Sequence, residues 1–77
     1  MAKIRFYNYD TEEKVKTVTV ISKRLAYVKQ VAMSEAGKLF LVEAGKWRHT
    51  HGKTYVRRLR GQNYPERQYQ VILYMDE

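Results

Sequence analysis

Ser22-Lys-Arg-Leu-Ala-Tyr-Val-Lys-Gln-Val-Ala-Met-Ser-Glu-Ala-Gly37 is the stretch whose reading decides the fold. Ser22 has the chemistry of a helix N-cap, a hydroxyl able to accept from an orphan backbone N–H. From Lys23 onward the residues are mostly Leu, Ala, Lys, Gln, Met and Glu, all good helix formers. Leu25, Val28, Val31, Ala32 and Ala36 fall on one stripe at helical spacing, while Lys29, Gln30 and Ser34 lie elsewhere on the wheel. Gly37 stands where a left-handed residue closes a helix. The spacing predicts a helix over 23–36. Leu25, Tyr27 and Val31 also fit a period of two, and a strand here would turn the fold into an all-β barrel or roll.

Upstream, Lys3–Tyr9 alternates, with Ile4 and Phe6 on one side and Arg5, Tyr7 and Tyr9 on the other. That is the pattern of a half-buried strand. Asp10–Glu13 is a polar turn. Val15–Ile21 holds four Val or Ile and two Thr in seven residues, which favours a second strand hairpinned to the first. Downstream, Leu39-Phe-Leu-Val42 is apolar at every position and reads as a central strand buried on both faces. Ala44-Gly45-Lys46 reads as a tight turn. Trp47–Thr50 and Lys53–Leu59 then read as a hairpin around His51-Gly52, since Gly accepts the left-handed region freely and His tolerates it. Gly61–Glu66 is a loop with Pro65 fixing a turn. Tyr69–Met75 is a last strand, apolar on both faces and therefore central, under the helix. The expected order is β-β-α-β-β-β-β: an α+β chain with one antiparallel sheet and one helix on one face.

At 77 residues the chain is expected to be one domain, 1–77, without a linker. A chain this short buries only roughly 60–65% of its unfolded surface, so its core is thin. It has no Cys, which excludes disulfides, thiolate metal sites and thiol catalysis, and suits a reducing, cytoplasmic setting. No apolar run approaches the ~18 residues of a membrane span. The N-terminus lacks the apolar core of a signal peptide and reads as the first strand.

The formal charge is +7, unevenly spread. Residues 1–43 carry +3, residues 44–65 carry six Lys or Arg and no acid, and residues 66–77 carry −2. The basic hairpin at 46–60 also holds the lone Trp and both His. Clustered cations neutralise phosphates and release counterions, which gives salt-sensitive affinity with little sequence information. Aromatic rings add a surface on which unpaired bases stack. The candidates are Lys46, Arg48, Lys53, Tyr55, Arg57, Arg58 and Arg60, with Trp47, Tyr7 and Tyr9 as stacking residues or interface anchors. Pairing across a two-residue turn would set Arg48 opposite Tyr55 and Trp47 opposite Val56. Arg48, Thr50, Lys53, Tyr55 and Arg57 would then share a basic face, with Trp47, His49, Thr54 and Val56 on the core side. Leu59 falls awkwardly on the basic face, as a bulge or the hairpin's end would explain.

These features point to a non-enzymatic protein that binds DNA or RNA with low sequence specificity. The bland alternative is a solvated hairpin whose charges blunt an exposed edge. A second reading is an interaction or inhibitor module, monomeric or homodimeric, that docks its basic face on an acidic protein. A third is a small ribonuclease using His49 and His51 as acid and base, with Lys53 or Arg57 stabilising charge. A metal is not expected at His49-x-His51, where no acid is near and the local charge repels cations. No cofactor motif is present: there is no Gly-rich phosphate loop and no nucleophile elbow. Small basic chains without linkers are often encoded by viruses or mobile elements.

Overall fold

The computed structural model describes residues 1–63 and 65–75; Tyr64 of the expected Gly61–Glu66 loop lies outside the described residues, as do Asp76 and Glu77. The elements run β1 (Ala2–Asn8), β2 (Lys14–Val20), α1 (Leu25–Lys38), β3 (Leu41–Glu43), β4 (Arg48–His49), β5 (Thr54–Gly61) and β6 (Gln68–Tyr74). All strand pairs are antiparallel. They make one open sheet in the order β2-β1-β6-β5-β3, with β4 also on β5. This is the α+β arrangement expected from the sequence, and the barrel alternative falls with the helix in place.

β1 and β6 are central because both alternate large apolar residues inward. Ile4 pairs with Leu73 and Phe6 with Val71, and all four are fully buried. Leu59 joins them from β5 at 1% exposure. The helix covers this face with Val28, Ala32 and Ala36, three buried residues at helical spacing, while Leu25 and Val31 pack at the margin. Small Ala side chains let the helix approach the sheet closely. The apolar contacts draw on β1, β5, β6 and α1 together, so burial of one continuous cluster holds the layers in place.

The helix sits two residues later than its sequence predicts. Ser22 is not its cap: Ser22 Oγ accepts from Arg24 N–H at 3.1 Å, forming a local turn ahead of the helix. Arg24 occupies the N-cap position without a side-chain hydrogen bond. At the other end the helix runs through Gly37, and Phe40 takes the left-handed residue, φ 58°. Phe40 N–H bonds the Gly37 carbonyl oxygen at 3.1 Å.

Leu39–Val42 is not a central strand. Leu39 and Phe40 finish the helix, and only Leu41 and Val42 enter β3, a three-residue edge strand. Leu41 turns inward and is buried; Phe40 is 60% exposed. β3 and β4 lie end to end along β5 and act as one edge strand interrupted at residues 44–47. Arg57 bridges the gap. Its Nε–H donates to the Gly45 carbonyl oxygen at 2.7 Å, and its Nη2 meets the Glu43 carboxylate.

Candidate nucleic-acid interface

The hairpin register differs by one residue from the sequence expectation. Arg48 pairs with Val56 and His49 with Tyr55. The turn is not a two-residue loop at His51-Gly52. Thr54 N–H bonds the His51 carbonyl oxygen at 3.1 Å, and Gly52 is left-handed at φ 56° inside that turn. Side chains alternate along a strand, so a one-residue slip moves every partner to the other face. The expected basic face is therefore split. Arg48 is on the open face with Arg58 and Arg60, whereas Tyr55 and Arg57 are on the helix side with Leu59. No bulge is needed at Leu59, since β5 runs unbroken from Thr54 to Gly61. Val56 is buried, but on the open face and away from the Trp47 side.

On the helix side, the aromatic residues are anchors. Trp47 and Tyr55 pack against the core cluster. Lys29 Nζ from α1 stands 5.8 Å from the Trp47 ring centre and 5.6 Å from that of Tyr55. Arg57 Cζ lies 5.7 Å from the Trp47 ring centre. These cations cover the rings and tie helix to edge strand. His49 stacks against Tyr55 with ring centres 4.9 Å apart. Its Nε2–H donates to the Gly52 carbonyl oxygen at 2.6 Å, which locks the turn. His51 sits in the turn rather than on the strand. Lys46 lies exposed in the 44–47 gap. Lys53 is also exposed, and its carbonyl accepts from Met75 N–H.

The open face collects what the hairpin alone does not. Cross-strand registers place Lys3 beside Tyr74 and Thr54 in one row. Arg5, Ile72, Val56 and Arg48 make the next. Tyr7, Gln70 and Arg58 make a third, and Gln68 and Arg60 a fourth. Among the described residues no acid occupies these rows. Arg5 Cζ lies 4.7 Å from the Tyr74 ring centre, and Arg58 Cζ 4.2 Å from that of Tyr9. Arg58 Nη2 also donates to the Gln68 carboxamide oxygen. Arg60 reaches Glu66 at 3.5 Å at the margin of the face, an exposed pair that screens little. Burial raises the Tyr74 hydroxyl above its ordinary pKa of 10.0, assisted by its hydrogen bond with Tyr7 and opposed by Arg5. Tyr74 carries no signal in the sequence because both faces of β6 look apolar; its pairing with Lys3, two residues before Arg5, is what reveals its side.

No family model, no curated protein and no solved structure matches this chain. Among the described residues, no helix is long and apolar enough to cross a membrane, and no three His, Asp or Glu gather as a metal site.

Proposed function

We propose that this protein binds single-stranded nucleic acid across the open face of its sheet. One observation carries the reading: Lys3, Arg5, Arg48, Arg58 and Arg60 share rows with Tyr7 and Tyr74 that hold no acid among the described residues, and Tyr9 adjoins them beneath Arg58. Cations spaced along a sheet meet successive phosphates and give affinity that falls with salt. Tyrosine rings and guanidinium planes accept unpaired bases by stacking. Arg5 and Arg58 already lie over tyrosine rings, so their planes are oriented before a ligand arrives. A single strand fits better than a duplex. Entry into a major groove needs a projecting helix or ribbon, and the partner strand of this ribbon, β4, is two residues long. Sequence-independent contacts dominate, and no catalytic step is required of the face.

The test is a fluorescence-polarisation titration against single- and double-stranded DNA and RNA at low and physiological salt. Micromolar or tighter binding of single strands, with a salt slope reflecting several phosphates, is the expected result. No binding even at low salt would end the reading and turn the search to an acidic protein partner.

A further inference from the structure

We propose that the pocket at the β1–β2 end of the open face is a site for one unpaired guanine of a bound strand, an inference that rests on the nucleic-acid reading of that face. The pocket is an open hollow of about 430 Å³ lined by Tyr7, Asn8, Tyr9, Glu12, Gln70 and Ile72. That volume falls within the ~300–1,000 Å³ of ordinary small-ligand sites, and its lining mixes two tyrosines and one isoleucine with the polar Asn8, Glu12 and Gln70. Two tyrosines and an isoleucine offer stacking and an apolar wall. Glu12 and Gln70 offer hydrogen bonding at the rim.

The pocket is built rather than incidental. The β1–β2 register shifts between Phe6 and Tyr7, a bulge at the strand end that re-aims the residues after it. The turn beyond is closed by its own hydrogen bonds. Asn8 N–H bonds the Glu13 carbonyl oxygen at 2.9 Å, and Glu12 N–H bonds that of Asn8 at 2.8 Å. Asn8 Oδ1 accepts from Asp10 N–H at 2.9 Å and from Thr11 N–H at 3.1 Å. Within this frame Glu12 is left-handed at φ 61°, a conformation that Gly or Asn adopts at less strain. Its side chain is exposed, so the carboxylate is open to a ligand from solvent. An exposed acid held in a strained backbone position on the rim of an aromatic pocket in a cationic face is the feature from which the ligand is argued.

Base chemistry then selects guanine. A carboxylate accepts and cannot donate. The Watson–Crick edge of guanine presents two adjacent donors, N1–H and the N2 amino group, which match the two carboxylate oxygens. Cytosine and adenine present one amino donor beside an acceptor nitrogen, and uracil or thymine one imino donor between two acceptors. Each of these sets a lone pair against the carboxylate. Gln70 carries both donor and acceptor and suits the guanine O6 as well as its neighbours.

The test compares labelled eight-nucleotide strands of uniform U (RNA) or T (DNA) with the same strands carrying one central G, A or C. One guanine is expected to tighten binding tenfold or more, equivalent to about 1.4 kcal/mol, and A or C less than threefold. In Glu12→Gln the G-to-U ratio is expected to fall within twofold of one. Glu12→Gly, which also relieves the backbone, is expected to do the same and guards against a folding artefact. Guanosine monophosphate is expected to compete weakly, because it lacks the other phosphates of the face. Equal affinity for all four strands, with salt-dependent binding intact, would overturn the guanine site and leave the face reading standing. A guanine preference that survives both Glu12 variants would also overturn it, as would guanosine monophosphate binding as tightly as the strand. Failure of every strand to bind would remove both.

Discussion

Arg5 and Arg58 lie on different strands, each over a tyrosine ring of the open face, so neutralising both probes that face from two places. For single strands, each phosphate neutralised contributes about 0.7 to the slope of log affinity against log salt. At an ionic strength of about 0.15 M this corresponds to roughly fourfold in affinity per contact. The double variant Arg5→Gln, Arg58→Gln is therefore expected to lose about 15-fold at physiological salt, with the slope reduced by about 1.4. The variant gives up two cation–π contacts, of about 0.5–1 kcal/mol each, together with the Arg58–Gln68 hydrogen bond and that of Arg5 with Tyr74, so circular dichroism checks that the chain stays folded. Lys29→Gln on the helix side removes one formal charge beside Trp47 and Tyr55 and should bind within twofold of the parent. Polarisation titrations from low to physiological salt read both quantities. An unchanged slope in the double variant, or an equal loss in Lys29→Gln, would refute the placement of the site.

Other consequences follow from the same geometry. Gly37 is helical with nothing within 4 Å of an added Cβ, so Gly37→Ala should stabilise by about 0.5–1 kcal/mol; were Gly37 the left-handed cap expected from sequence, the sign would reverse. Phe40→Gly relieves the residue that does hold that position and should gain roughly 0.5–1 kcal/mol net, both read as a raised urea midpoint at constant slope. Leu59→Ala, under the helix at 1% exposure, should lose about 2–5 kcal/mol, whereas a solvent-facing Leu59 would tolerate it. The Glu35 carboxyl is held below its ordinary 4.5, first by its hydrogen bond to Lys38, against desolvation, and then by Lys16. Its contribution is complete above that ordinary value and fades as pH falls through the lower folded value. Glu35→Gln should accordingly flatten the acid side of the stability profile measured by chemical denaturation.

Much of the architecture was legible because burial imposes a period. Ile4 and Phe6 announced β1, and the Val28–Ala32–Ala36 spacing announced the helix. The misplaced elements share one cause: a local signal read without its tertiary partner. The apolar run Leu39–Val42 looked like one buried strand, yet its residues divide among a helix end, an exposed left-handed corner and an edge strand. Gly37 resembled a cap because Gly accepts left-handed geometry, but the chain placed Phe40 there instead. Locally His51-Gly52 has the chemistry of a two-residue turn, and the longer turn that forms moves the register by one and exchanges the faces. The sequence held a corrective: Leu59 shares its side of β5 with Tyr55 and Arg57, and the demand to bury Leu59 outweighs the charge of Arg57, which finds Glu43 and a backbone carbonyl. Of the candidate residues, Arg48, Arg58, Arg60, Tyr7 and Tyr9 meet at the open face, while Trp47, Tyr55 and Arg57 brace the other side. Nothing in the sequence alone joined Tyr74 to Arg5, because that link is made only by strand pairing.

The chain has three isoleucines, and they sample three environments. Ile72 lies on the open face beside Arg5, Ile4 is fully buried beneath the helix, and Ile21 is 91% exposed just beyond β2. Carbon-13 labelling of the isoleucine δ1-methyl groups therefore gives one reporter for each. Titrated with a single-stranded oligonucleotide, the Ile72 methyl should shift progressively to saturation while Ile4 and Ile21 stay near their starting positions. Binding that leaves Ile72 unmoved, or that shifts Ile21 instead, would contradict the open face as the nucleic-acid surface.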